Sequence, residues 1–198
     1  MNIGVLGGTF DPVHRGHIEI AEEVRKHLGL DEVLFIPAGQ PWLNKTGPVT
    51  AAEHRVQMLR LAIKGKPYFH LATIEIDELP SNMADTVADI LAELPLGDEI
   101  YLILSWDTLG GLSRWWQPEQ LINMCRIVAV PRPGYPRPEM ETLEDAIPGL
   151  SRSITLLDRP EVNISATEIR ERVARGEPIS HLVPEAVEEY IMQHKLYK

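Results

Sequence analysis

Cysteine is almost missing from this chain: Cys125 is the single one in 198 residues, so no internal disulfide can form. That fits a reducing compartment. No activating group stands near Cys125 in sequence, so it reads as a small buried apolar residue rather than a nucleophile. Long apolar runs are missing too, and none approaches the roughly 18 residues of a membrane span. The opening MNIGVLGGTFD has neither the basic region nor the cleavage site of a signal peptide, which sets the expectation of a cytoplasmic protein. Cations are scarce: 19 Lys and Arg against 29 Asp and Glu leave a net charge of -10. A surplus of that sign argues against non-specific nucleic-acid or membrane binding. It also means that any polyanion site has to gather its few cations locally, beside glycines and helix starts.

What is present is an ordinary globular composition, 44% hydrophobic and 24% charged, of a length that suits one domain over 1–198. Apolar periodicity predicts strands at 2–6, 32–36, 68–76, 99–104, 126–130 and 153–157. It predicts helices at 16–28, 51–64, 84–94, 117–123, 165–175 and 184–194. In the first of these, Ile18, Ile20, Ala21, Val24 and Leu28 form one face and Gly29 supplies the stop. Pro37 halts the second strand, a loop fills 37–50, and four prolines stiffen 131–138. The pattern is weakest over 131–152. Strands alternating with helices predict an α/β, Rossmann-like open parallel sheet with helices on both faces.

The first chemical signal is GGTFDPVHRGH, from Gly7 to His17. It falls between the first strand and the first helix, at the sheet edge where open α/β folds bind ligands. Gly7 and Gly8 let backbone approach a phosphate, with Thr9 and Phe10 following in the same turn. The helix start adds unpaired N–H groups. His14 and His17, three apart, fall on one side and can donate to oxygens that gain charge during a reaction. The stretch lacks the GK[ST] end of a P-loop and the GxGxxG of dinucleotide dehydrogenases.

The second signal is ISATEIR, Ile164 to Arg170. Ser165 with Glu168 three residues on has the pattern of a capping box. Alone that says only that a helix is well capped. The same helix start also offers the Ser165 and Thr167 hydroxyls, and Arg170 one turn in can reach phosphate oxygens.

GGTFDPVHRGH resembles the GGTFDPxHxGH signature of the HxGH nucleotidyltransferase family, and ISATEIR resembles its second signature, ISSTxIR, with Ala166 for the second serine. Further stretches resemble the nicotinate-nucleotide adenylyltransferase branch: PAGQP at 37–41 with Lys45 and AEHRVQML after it, SRWWQPEQL around Trp115, VAVPRPGY at 128–135, and LVPEAVEEYI with KLY at the end. The resemblance implies transfer of AMP from ATP to nicotinate mononucleotide, giving deamido-NAD and pyrophosphate. The acceptor's 5′-phosphate would attack the α-phosphorus in line, with no covalent enzyme intermediate.

It also implies roles. Gly7, Gly8, Thr9 and Phe10 meet the ATP phosphates, and His14 and His17 meet the α-phosphate and the bridging oxygen. Asp107 contacts the nucleotide. Ile164, Ser165, Thr167 and Arg170 hold the β- and γ-phosphates and help seat the adenine, Arg170 gripping the leaving pyrophosphate. On the acceptor side Lys45 meets a phosphate, Met83, Asp85 and Thr86 line the ring site, Trp115 stacks on the pyridine, and the Trp116 N–H meets its carboxylate. Mg²⁺ is expected to arrive with ATP and to need few protein ligands.

Three stretches depart from the branch. SNMADT at 81–86 stands where SYTxDT is usual, Ser105-Trp106-Asp107 replaces a small GxD turn, and 41–45 lacks the usual histidine. These leave two alternatives: a sister enzyme for nicotinamide mononucleotide or another phosphorylated acceptor, or a nucleotide-binding protein without turnover. A homo-oligomer is left open.

Overall fold

Short runs rich in Val, Ile and Leu alternate with helical stretches, and each run becomes a strand of one parallel sheet. The computed structural model describes residues 1–39, 49–77 and 82–198. Its strands are β1 (Asn2–Gly8), β2 (Glu32–Pro37), β3 (Phe69–Leu71), β4 (Glu99–Ser105), β5 (Arg126–Val130) and β6 (Ile154–Leu156). They lie in the order β3-β2-β1-β4-β5-β6, every neighbouring pair parallel. The helices are α1 (Arg15–Leu28), α2 (Ala52–Ile63), α3 (Ile74–Asp77), α4 (Met83–Glu93), α5 (Trp106–Leu109), α6 (Pro118–Met124), α7 (Met140–Ala146), α8 (Ala166–Ala174) and α9 (Glu185–Gln193).

Parallel strands covered on both faces lose the polar–apolar alternation of half-exposed ones, which is why β1, β4 and β5 read as continuous apolar runs. Successive side chains still point to opposite faces. Leu6 and Ile103 enter a core with α1, α2, α8 and α9, around Val24, Leu59, Ile169 and Val187. Val5 and Leu102 enter the other core with α4, α6 and α7, around Val87, Leu121 and Leu143. The chain runs from β1 outward to β2 and β3, then returns to the far side of β1 as β4. Strand order reverses there, so the loops after β1 and β4 part and leave a crevice at the carboxyl edge.

The sequence-based expectations hold for the fold class and for most elements, with instructive exceptions. Gly7 and Gly8 are the last residues of β1, paired with Ile36 and Pro37, rather than a turn. The strand expected over 68–76 stops at Leu71. Ala72 N–H still reaches Phe35 O, and then Ile76 N–H bonds back to Thr73 O and the chain coils into α3. Glu75 is drawn inward to the Thr86 hydroxyl, a partner the local pattern does not contain. The stretch 131–152 holds α7. Its Glu144 carboxylate accepts from the Gly149 and Ser151 N–H groups, 2.6 and 2.7 Å away. Cys125 is buried, its Sγ donating to Leu121 O, and burial pushes its thiol up to about 12. It stays a neutral thiol, as its surroundings in sequence suggested. Among the described residues no helix is long and apolar enough to cross a membrane.

Candidate active site

The loop after β1 is built by a buried charge. Arg55, near the start of α2, is 1% exposed. Its Nε donates to Thr50 O (2.9 Å), its Nη1 to Thr9 O (2.8 Å) and Ala38 O (2.8 Å), and its Nη2 to Gly39 O (3.1 Å). Burial pulls its pKa below the usual arginine value, while the charge of Asp11 works in the opposite direction. Asp11 is itself buried. It accepts the Tyr197 hydroxyl at 2.7 Å and the Thr50 N–H at 3.1 Å, partners that offset the cost of removing a carboxylate from water. Desolvation and then Asp11 hold the Tyr197 hydroxyl well above the usual tyrosine range, so it remains a donor. Phe10 adopts φ 50°, in the left-handed region, and packs edge-on against His17 with ring centroids 4.8 Å apart.

The two histidines stack, centroids 3.7 Å apart at 23°. His14 caps α1 and is 6% exposed. Burial, with the positive charge of Arg132, lowers its pKa to about 4, so it is neutral at physiological pH. Its Nδ1 is buried with no hydrogen-bond partner. His17 Nδ1 accepts the His14 backbone N–H at 3.2 Å. A neutral imidazole accepting at Nδ1 carries its hydrogen on Nε2, which makes Nε2 the donor. Gly16 lies between them for a steric reason. A Cβ there would fall 2.5 Å from Val162 Cγ1 and 3.1 Å from His14 Nδ1.

Val162 belongs to the segment leading into the second motif, and the two motifs do meet. Arg170 Nη1 donates to Asp11 O at 2.7 Å, and its Nη2 donates to Thr167 Oγ1 at 3.2 Å. Ser165 is the N-cap of α8, but the expected capping box does not form. Glu168 instead pairs with Arg172 at 2.9 Å, one turn on, which leaves the α8 start uncapped by side chains. Ile164 packs against the core beside it. At the end of β4, Asp107 faces Arg132, Oδ2 to Nε 3.5 Å, while its Oδ1 and the Trp106 Nε1 are buried without partners.

The comparisons with known proteins agree with one another. Residues 5–172 match the family model described as cytidylyltransferase-like. A probable nicotinate-nucleotide adenylyltransferase of Dehalococcoides mccartyi is 48% identical over 198 residues, covering 100% of this chain and 97% of its own length. One from a Roseiflexus species is 42% identical, covering 99% and 98%. The chain belongs to the nicotinate-nucleotide adenylyltransferase family. A Plasmodium falciparum nicotinic acid mononucleotide adenylyltransferase complexed with NaAD has the same fold at TM-score 0.79, with 19% identity over 99% of this chain and 97% of that one.

Against that family frame, the expected nucleotide-side residues Gly7, Gly8, Thr9, Phe10, His14, His17, Asp107, Ile164, Ser165, Thr167 and Arg170 all lie at or beside the carboxyl edge. The acceptor-side set is less uniform. Met83 packs over Gly7, its Cε 2.7 Å from where a Cβ would stand. Asp85 sits in the first turn of α4, its N–H and carboxylate both bonded to Asn82. The Thr86 hydroxyl faces Glu75 Oε1 at 3.1 Å and Asn82 O at 3.0 Å. Trp115 is half-buried against the second core, and Trp116 is exposed. Lys45 lies outside the described residues. Sequence reasoning missed Arg55 and Arg132. Arg132 had a usable signal, a cation directly after a strand at the ligand edge. Arg55 had none, because its partners are backbone carbonyls. Among the described residues no group of three or more His, Cys, Asp or Glu is placed to hold a metal ion.

Proposed function

We infer that this protein transfers AMP from ATP to nicotinate mononucleotide, giving deamido-NAD and pyrophosphate. The observation that carries this reading is the Arg170–Asp11 contact, which joins the two motifs at one crevice. Curated relatives of 48% and 42% identity over nearly the whole chain bear names for this activity.

The acceptor's 5′-phosphate oxygen attacks the α-phosphorus of ATP. One P–O bond forms, the bond to the bridging oxygen breaks, and pyrophosphate leaves with that electron pair. Little covalent chemistry falls to the protein, so positioning and charge stabilisation supply the catalysis. The Gly7–Phe10 backbone and Thr9 line the phosphate path. His17 Nε2–H and neutral His14 face the α-phosphate and bridging oxygen as preorganised groups, and the unpartnered His14 Nδ1 is a buried polar atom of that site. Arg170, Thr167, Ser165 and the uncapped start of α8 receive the β- and γ-phosphates. Arg132 adds positive charge beside His14, and Asp107 presents a carboxylate to the nucleotide. Trp115 supplies a face for the pyridine ring, and the Trp116 N–H meets its carboxylate. Mg²⁺ arriving with ATP would supply positive charge to the phosphates and need few protein ligands.

Pyrophosphate release measured with ATP and with CTP, each against nicotinate mononucleotide, nicotinamide mononucleotide, phosphopantetheine and glycerol phosphate, tests the reading. Turnover is expected with ATP and nicotinate mononucleotide. Preference for another pair reassigns the acceptor, and release with none of them leaves a nucleotide-binding protein without turnover.

A further inference from the structure

Arg55 is the largest fully buried side chain and the only charged one among those fully buried in the described residues, yet the chemistry above gives it no contact with substrate. Four of its N–H groups end on four carbonyls: Thr9 after β1, Ala38 and Gly39 after β2, and Thr50 before α2. Two of these determine peptide orientation at the crevice. In a trans peptide the carbonyl of one residue and the N–H of the next point in opposite directions. The Thr9–Phe10 and Ala38–Gly39 bonds are not among the cis peptides of the chain. Drawing the Thr9 and Ala38 carbonyls inward therefore turns the Phe10 and Gly39 N–H groups outward. Ala38 N–H is further tied to Gly8 O at 2.8 Å, so the two loops are joined both directly and through the guanidinium.

We propose that Arg55 is a positioning residue for the transfer: it aims the Phe10 and Gly39 N–H groups at the ligand and couples the Thr9–Phe10 and Ala38–Gly39 peptides, so that a ligand on one steadies the other. The geometry requires arginine. Its planar fork sends separate N–H groups to Thr9, Ala38, Gly39 and Thr50, whereas a lysine ammonium is a point donor that cannot span them. A neutral side chain would leave several carbonyls buried without donors. The inference rests on the adenylyl-transfer reading, which places the triphosphate on the loop after β1.

The test compares the wild type with Arg55→Lys, and with Leu150→Ala as a control for lost stability in the other core. Arg55→Lys is expected to lower kcat by about 10²-fold, as a displacement near 1 Å does at a reacting centre, and to raise KM for both substrates. Leu150→Ala, with a comparable fall in Tm, is expected to keep both parameters. A second measurement uses the wild type alone: amide hydrogen exchange with an α,β-methylene analogue of ATP. Exchange at Gly39 should slow together with that at Phe10. Wild-type kinetics in Arg55→Lys, or losses equal to those of the Leu150 control, overturn the proposal. So does slowing confined to the loop after β1 in the wild type, a result that decides the matter even if Arg55→Lys does not fold. Absence of pyrophosphate release by the wild type is a separate failure, of the reaction assignment.

Discussion

The two halves of the crevice are built differently. Around the loop after β1 the backbone is held from below by polar groups: buried Arg55 on four carbonyls, buried Asp11 between Tyr197 and Thr50, and half-buried Arg170 on Asp11 O. On the acceptor side the recognisable features are side chains at the surface. Trp115 is half-buried and Trp116 is 63% exposed. The first of these regions is held beneath by hydrogen bonds to buried groups, while the second presents ring surface to solvent. Substitutions in the first half should therefore lower kcat and stability, with or without a change in KM, and those in the second should act on KM alone.

The largest effect belongs to His17. Removing its Nε2 donor with His17→Ala should cut kcat by about 10²–10⁴, and near-normal turnover would exclude it from the chemistry. Next comes the burial of His14. Its pKa of about 4 lies below the ordinary 6.5 expected for the unfolded chain. Between those values the unfolded chain binds a proton that the folded one refuses. The associated stability is thus fully present above the unfolded value and is lost as pH falls through the window to about 4. The loss is on the order of 3 kcal/mol. Urea unfolding across pH 7.5 to 4 should show this slope, and His14→Gln should flatten it. An unchanged slope in that variant would assign it to other groups.

Gly16→Ala sharpens the comparison by separating the histidines from the segment before α8. Its Cβ would press on Val162, at a cost of about 1–3 kcal/mol typical of overpacking. A fall in Tm with a fall in kcat is expected, and an unchanged Tm would show that Val162 gives way freely. The smallest effect is at the open side. Trp115→Ala should raise KM for nicotinate mononucleotide roughly 10-fold, from about 1–3 kcal/mol of lost stacking, with kcat and KM for ATP unmoved. A kcat loss matching that of His17→Ala would erase the distinction between the halves.

The same contrast explains what could be read from residues alone. The two motifs were legible because glycines, histidines and hydroxyls stand in contiguous stretches, each at a strand end or helix start. The sheet was legible because its strands are continuous apolar runs between helices. Arg55 was not, since a guanidinium bonded to carbonyls leaves no pattern in side-chain identity. The Thr86–Glu75 contact was not legible, since the partner lies eleven residues earlier on another helix. α7 was hidden because Leu143 is its one buried residue and prolines precede it. The capping box at Ser165 failed because Glu168 has a better partner in Arg172.

The link between Arg170 and Asp11 spans 159 residues of chain. A contact so distant closes only after the intervening strands have taken their places. During refolding from denaturant, circular dichroism should regain its native value before turnover returns, and the lag between the two signals would time the docking of α8 against the loop after β1.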